Sequence, residues 1–220
     1  MPQMKTDPAS PVSLPAWFQD VPNELLGRKL VDIKQGQTIF SQGDDCDQVY
    51  YIGNGVVRLS TVSPHGKTAV LCILGPGDFL GMGCLTGEKT HETTAVALVR
   101  SVAVAIRSAV LIRLLREKPP AAAEFCDYVI KRYVGIEREL INFVLNSSEK
   151  RLARALLLLD SYSKNVDPSI LHTITQDALA DIVGTTRSPI NLFPERFKRK
   201  GYIEYDRELK IYPSLQEVRS

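Results

Sequence analysis

A chain of 220 residues is long for one compact domain of ~100–150 residues and suits two. With 44% hydrophobic and 24% charged residues it is neither wholly disordered, nor a collagen, nor a coiled-coil rod. A net charge of +2 announces no nucleic-acid binder, so evidence for one has to be local.

Residues 1–14 carry three prolines among small and polar residues and read as a flexible arm. The start has no apolar h-region, so no secretory signal is expected. Pro15–Arg28 reads as a short amphipathic helix interrupted at Pro22. From Lys29 to about Ile106, short β-branched runs alternate with glycine turns. Gln48–Ile52 and Val56–Val62 flank Asn54-Gly55, which predicts a hairpin because both residues accept positive φ. Ser63–Lys67 is a second loop, joining Val56–Val62 to Thr68–Leu74; strand-like Thr93–Val99 and Ser101–Ile106 follow. Turns every ~8–12 residues point to a barrel or a double-sheet jelly roll.

The texture then turns helical. Ser108 is positioned to cap Ala109–Glu117, and Lys118-Pro-Pro120 is read as its end. Ala121–Ser147 has Gly135 as its one breaker. Val129, Ile136 and Phe143 recur every seven positions, as do Cys126, Tyr133 and Leu140, which makes a seam of about three heptads. The seam either packs on its own barrel or pairs with a second copy of the chain; its length and straightness favour the second. Asn146-Ser-Ser-Glu149 places a serine ahead of an acidic residue at the mouth of an apolar helix, Lys150–Leu159, and Ser161–Thr173 reads as a polar loop. The apolar runs Ala69–Leu74 and Ala155–Leu159 are far short of the ~20 residues of a membrane helix, so no membrane partner is expected.

Thr175–Val183, Thr186–Lys200 and a hairpin over Tyr202–Tyr212 have the order of a winged helix-turn-helix. Leu179, Ile182 and Val183 form one apolar face, and Gly184 supplies the left-handed residue that the sharp turn requires. Thr186 as cap puts Arg187 and Ser188 at the front of the second helix, where a recognition helix meets base edges. An arginine there can donate two hydrogen bonds to guanine, worth ~1–3 kcal/mol of discrimination. Arg187–Lys200 carries five positive charges against one negative, Glu195, the local basic patch that the global charge conceals. Pro194 would break a regular helix there, so a distortion is expected at Phe193–Pro194, or a late start capped by Asn191; Pro189 is harmless near the N-terminus. Thr175, Gln176, Thr186 and Lys198 are then the phosphate contacts.

These residues resemble the CRP/FNR family of transcription regulators over about Trp17 to Leu215. The resemblance is carried by Gly36-Gln-Thr-Ile-Phe40, Gln42-Gly-Asp44, Asp47-Gln-Val-Tyr-Tyr-Ile52, Gly55, Gly77-Asp-Phe-Leu-Gly81, Ser148-Glu-Lys-Arg-Leu-Ala153 and Thr175–Ser188. It implies an α+β chain: an effector-sensing, cyclic-nucleotide-binding-like β jelly roll over 15–120, a long dimerisation helix over 121–147 and a winged helix-turn-helix over 148–220. A homodimer on a palindromic double-stranded DNA site is the expected assembly. The pocket would comprise Gly81, Met82, Gly83, Cys84, Thr93 and Thr94. Cyclic-AMP-binding relatives have a glutamate where Met82 stands and an arginine near Thr93 or Thr94, and a Thr-Ser pair near Glu137-Arg138. Cyclic AMP is therefore disfavoured, and the effector, where one exists, is an unknown small molecule. Ser161–Thr173 resembles in position the surface with which relatives touch RNA polymerase, though no residue in it argues for that contact.

Four widely spaced cysteines show neither a disulfide framework nor a zinc pattern, so a reducing, cytoplasmic setting is the default expectation. Without cysteines ahead of Cys46, no iron–sulfur cluster is expected. Cys72 reads as a buried apolar filler, and Cys84 and Cys126 are open to a redox role without a feature that argues for one. His65, His91 and His172 read as isolated, with no metal or haem role, which also argues against a cupin-type enzyme; no catalytic motif appears. The alternative to a DNA-binding regulator is a cyclic-nucleotide-type sensor module that acts through protein contacts.

Overall fold

The computed structural model describes residues 15, 29–173, 176–184, 195–205 and 209–219. The predicted helix over Pro15–Arg28 lies outside these apart from Pro15.

The β-rich part is a two-sheet jelly roll. One sheet has the order β1-β8-β3-β6, formed by β1 (Lys29–Ile33), β8 (Ser101–Arg107), β3 (Gln48–Asn54) and β6 (Phe79–Leu80). The other has the order β2-β7-β4-β5, formed by β2 (Thr38–Phe40), β7 (Thr94–Ala97), β4 (Val57–Val62) and β5 (Thr68–Leu74). All pairings are antiparallel. β8 lies between two neighbours and reads as a nearly continuous apolar run, Val102-Ala-Val-Ala-Ile106, as a strand covered on both faces should. Phe40, Ile52, Val57, Leu74, Leu80 and Ala95 fill the interior, whereas Val49 and Ile106 belong to a separate cluster with Leu111, Leu114 and Phe125.

The β4–β5 hairpin forms as expected around Ser63, whose N–H donates to the Lys67 carbonyl at 2.9 Å. The Asn54-Gly55 hairpin does not. β3 pairs with β6 and β8, while β4 pairs with β5 and β7, so the turn passes the chain from one sheet to the other. Its glycine is still required: Gly55 has φ 98°, and a Cβ there would run into Ser101.

α1 (Ser108–Glu117) begins one residue earlier than predicted, with Arg107 at the cap position, so Ser108 sits in the first turn rather than capping it. Pro119 and Pro120 do not merely stop α1; they open α2 (Pro119–Leu145), where proline's missing N–H costs nothing and its fixed φ suits the first turn. The 27 residues of α2 make it about 40 Å long. Its start packs on the barrel: Ala121 and Phe125 are buried with Tyr51, Phe79, Leu111 and Leu114, and the Phe79 N–H donates to the Tyr128 hydroxyl at 2.9 Å. Beyond Tyr128 most of its apolar side chains are exposed.

α2 ends at Leu145, and α3 (Ser148–Asn165) starts two residues on, its Ser147 cap accepting from the Lys150 N–H. α3 runs past the predicted end at Leu159 to Asn165, and α4 (Ile170–Thr173) forms the end of what was read as the loop Ser161–Thr173, leaving a short turn between them. Leu152, Leu156 and Leu159 on one face of α3 meet Ile170, Leu179, Val183, Phe197, Ile203, Leu209 and Leu215 in a second core. That core is continuous with Val56, Ile73 and Val99 of the barrel. Tyr162 of α3 lies so close to Gly75 that a Cβ there would run into the ring.

Candidate nucleic-acid interface

α5 (Gln176–Val183) turns its apolar face, Leu179, Ala180 and Val183, into the core. Gly184 follows at φ 67°, the left-handed residue that the turn was expected to need. The second helix is seen over residues 195–199 (α6), held by Phe197, which is fully buried. β9 (Ile203–Tyr205) and β10 (Leu209–Ile211) pair antiparallel as the wing. Helix, glycine turn, helix and hairpin thus surround one core in the predicted order.

Of the residues expected to contact DNA, Lys198 is described, and it is exposed on α6. Thr175, Thr186, Arg187, Ser188 and Asn191 lie outside the described residues, as do Pro189, Pro194 and the side chain of Gln176. Two of the described basic side chains of the patch have partners. Arg196 turns to Glu149 of α3 at 3.5 Å, and the Lys200 ammonium sits 5.8 Å from the centre of the Tyr202 ring. Lys198 and Arg199 remain exposed beside them.

Sequence reasoning missed Arg151. Its Nε donates to the Val183 carbonyl at 2.8 Å, its Nη1 to the carbonyls of Asn146 at 2.9 Å and Phe143 at 3.2 Å, and its Nη2 to the Ser148 hydroxyl at 3.2 Å. One guanidinium therefore joins the end of α2, the α2–α3 link at Asn146-Ser147 (the hinge) and the last residue of α5. The motif Ser148-Glu-Lys-Arg-Leu-Ala153 contains it, but its role was not legible, because its partners are carbonyls that only the fold brings together.

The seam residues split along α2. Cys126, Val129, Tyr133, Ile136 and Leu140 are exposed or half-exposed, with Ile130, Ile141, Val144 and Leu145 alongside. Phe143 is 54% exposed, but it also packs against Gly184 and lies under the Arg151 guanidinium at 4.9 Å. It belongs to the hinge as much as to the seam.

The predicted effector residues are not all in one place. Gly81, with φ 73°, caps a 3₁₀ turn, Met82–Leu85, that includes Gly83. Met82 and Cys84 pack with Leu111, Leu114, Ala121 and Phe125 under α1 and α2. Thr93 and Thr94 lie at the start of β7 in the other sheet, where the Thr94 hydroxyl accepts from the Gln42 N–H at 3.0 Å. Two open hollows of about 290 and 370 Å³ lie elsewhere, against Gly77, Tyr128 and Lys131 of the β5–β6 turn and α2.

The reading of four unrelated cysteines needs correction. Cys46 and Cys84 form a disulfide, their Cα atoms 5.2 Å apart across 38 residues. His91, read as isolated, puts Nδ1 at 3.5 Å from the Cys46 sulfur, and the three side chains bring their ligand atoms within 4.8 Å of one another. His91 is buried and stacks on Phe40 with ring centres 3.8 Å apart; burial holds its pKa below the usual value. Cys72 is half-buried rather than fully buried, and burial pushes its thiol up to about 11. Cys126 is exposed.

Comparison with known proteins decides the family. A cyclic nucleotide-binding domain matches residues 30–118, and a Crp-like helix-turn-helix domain matches residues 150–213, together more than two thirds of the chain. The chain belongs to the CRP/FNR family of transcription regulators.

Among its CRP/FNR relatives is the CRP-like cAMP-activated global transcriptional regulator of Mycobacterium tuberculosis, 26% identical over 184 residues that cover 80% of each chain. Another is the cyclic AMP receptor protein of Thermus thermophilus, 28% identical over 185 residues that cover 84% of this chain and 81% of that one. A CRP/FNR regulator structure from Eubacterium rectale shares the fold with a TM-score of 0.73 at 19% identity, covering 93% of this chain and 97% of that one. The family is one of DNA-binding regulators rather than enzymes, and no described helix is long and apolar enough to cross a membrane.

Proposed function

We propose that this CRP/FNR chain works as a homodimer that binds one two-fold-symmetric DNA site and is controlled allosterically through its jelly roll. The observation that carries the reading is the row of outward apolar residues on α2, Val129, Tyr133, Ile136 and Leu140, on the helix that leads into the helix-turn-helix domain. A row of that kind is unfavourable in water and pairs readily with its own copy. Pairing α2 with α2 sets two helix-turn-helix units on one side of the dimer, roughly 34–36 Å apart, the spacing of successive major grooves.

Arg187 and Ser188 serve base readout, with Thr175, Gln176, Thr186, Asn191 and Lys198 on the backbone. The effector is a small molecule other than cyclic AMP. Met82 packs among apolar neighbours where cyclic-AMP-binding relatives place a glutamate, and the Thr94 hydroxyl is already engaged by Gln42.

Selection from a randomised duplex pool, followed by mobility shift at several salt concentrations, tests the reading. A palindromic consensus bound at least ~10³-fold more tightly than random DNA, with a steep salt slope, is the expected result. Arg187→Ala should relax preference at one base pair of each half-site. Failure to enrich any sequence overturns the proposal, and tightening of binding by cyclic AMP overturns its effector part.

A further inference from the structure

We infer that Cys46 and Cys84 are a reversible dithiol–disulfide pair in the sensing domain, with His91 as the base that arms Cys46, and that their oxidation state sets DNA affinity. The second half of this inference rests on the function proposed above; the sulfur chemistry does not.

Each sulfur has a seat of its own: the Cys84 turn is packed under α1 and α2 through Met82 and Cys84, and the Cys46 loop is tied by backbone bonds to the His91 segment. The Gly43 N–H donates to the His91 carbonyl at 2.8 Å, the His91 N–H to the Asp44 carbonyl at 2.9 Å, and the Cys46 N–H to the Lys89 carbonyl at 2.8 Å. A jelly roll with a filled apolar interior needs no such staple, unlike the small secreted domains that depend on disulfides. Breaking the bond therefore leaves both sulfurs where they are, close enough to rejoin.

The neighbours divide the labour between the sulfurs. Cys46 is half-buried and within reach of an incoming oxidant, whereas Cys84 is buried behind it, 3.3 Å from the Gln48 carbonyl. The His91 imidazole is fixed by its stack on Phe40 with Nδ1 toward the Cys46 sulfur. Gly81 leaves room for it, since a Cβ there would come within 3.0 Å of the ring. Burial favours the neutral imidazole, the form that accepts a proton.

With a hydroperoxide as oxidant, the Cys46 thiol passes its proton to Nδ1, and the thiolate attacks the terminal peroxide oxygen. The O–O bond breaks, the leaving oxygen takes the proton back, and Cys46 becomes a sulfenic acid. The Cys84 sulfur then attacks the Cys46 sulfur, the S–O bond breaks, and hydroxide leaves with the Cys84 proton as water. Two thiols lose two electrons to the peroxide, and two oxygens leave as water, or as water and alcohol. A dithiol reductant reverses the bond by exchange.

The coupling runs through the 3₁₀ turn that carries Cys84. That turn packs on Leu111 and Leu114 of α1 and on Ala121 and Phe125 of α2, so tethering it to Cys46 fixes the seat of the helix that leads to the DNA-binding domain.

The test uses the full chain, reduced with dithiothreitol and then treated with one equivalent of hydrogen peroxide. Oxidation should lower the intact mass by about 2 Da and cut alkylatable thiols from four to two, with dithiothreitol reversing both. His91→Gln should slow bond formation at least ~10-fold, and Cys46→Ser or Cys84→Ser should abolish it. The duplex enriched from the randomised pool should bind the two states of the wild type with affinities at least ~5-fold apart, and Cys84→Ser with one affinity under both treatments. An unchanged mass, or a Cys46–His91–Cys84 site that holds zinc and resists peroxide, overturns the pair as a redox site. A reversible bond with equal DNA affinity in both states overturns the switch. A reversible bond in a chain that binds no DNA in either state upholds the sulfur chemistry and overturns the proposed function instead.

Discussion

The guanidinium of Arg151 and the carbonyl of Val183, 2.8 Å apart, tie the first turn of the DNA-binding domain to the end of its first helix-turn-helix helix. The same group holds the carbonyls of Asn146 and Phe143, so the hinge and the domain share one anchor. A hinge fastened in this way moves as a unit: whatever repositions the end of α2 carries α5 with it. In the allosteric reading proposed above, this attachment is the route by which a change in α2 would reach the helix-turn-helix.

Arg151→Met keeps the apolar stem but leaves three carbonyls without their charged donor. The expected loss is roughly 2 kcal/mol, read as a lower urea midpoint at unchanged slope, and Arg151→Lys should recover little of it because an ammonium cannot span the same acceptors. DNA affinity should fall even where the fold is saturated. A variant as stable and as tight as the wild type removes Arg151 from the hinge.

Gly184→Ala probes the turn beside it. The position needs φ 67°, which costs an L-residue about 1–2 kcal/mol, and its new Cβ would also lie 2.8 Å from Cε2 of Phe143. Phe143→Leu should relieve the second term but not the first. Thermal melts of the two single variants and the double variant should therefore give a double-variant loss smaller than the sum of the singles. Strict additivity would place the whole effect in the backbone.

Gly184 was legible in the sequence because a turn is local chemistry, set by residues within a few positions; the serine pair at 147–148 marked a helix start, but not which serine caps it. Asn54-Gly55 was legible as a turn but not as a link between sheets, since which strands pair depends on contacts far along the chain, such as Tyr51 with Val104. Pro119-Pro120 was ambiguous for a physical reason, proline being equally at home after one helix and at the first turn of the next. Cys46, Cys84 and His91 meet only after the barrel has closed, so no spacing rule could join them. The family motifs located the sensing turn, but not the sulfur that reaches it from the other loop.

His91 makes stability depend on pH in a defined direction. Burial lowers its pKa from 6.5, while Asp44 and Asp47 pull it back up. The unfolded chain then binds this proton at a higher pH than the folded one, so the contribution of His91 is intact above about pH 6.5 and is lost as the pH falls below it. Urea unfolding in dithiothreitol at about pH 7.5 and about pH 5.5 should show the gap between wild type and His91→Gln narrowing at the lower pH. A gap that is constant or widens would mean that the folded state does not disfavour the charged imidazole.

The outward face of α2 gives the sharpest test of assembly. Ile136 is 48% and Leu140 61% exposed in a single chain, one turn apart, at the middle of the apolar row. Lysines at both positions would place four ammonium groups in the core of an α2–α2 pair while leaving the barrel contacts at Ala121 and Phe125 untouched. Sedimentation should find the wild type as a dimer and Ile136→Lys/Leu140→Lys as a folded monomer. Its affinity for the palindromic duplex should drop at least ~100-fold, because each half-site then binds without the other's effective concentration. A wild type that sediments as a monomer at the concentrations where it binds DNA would contradict the dimer, whatever the variant does.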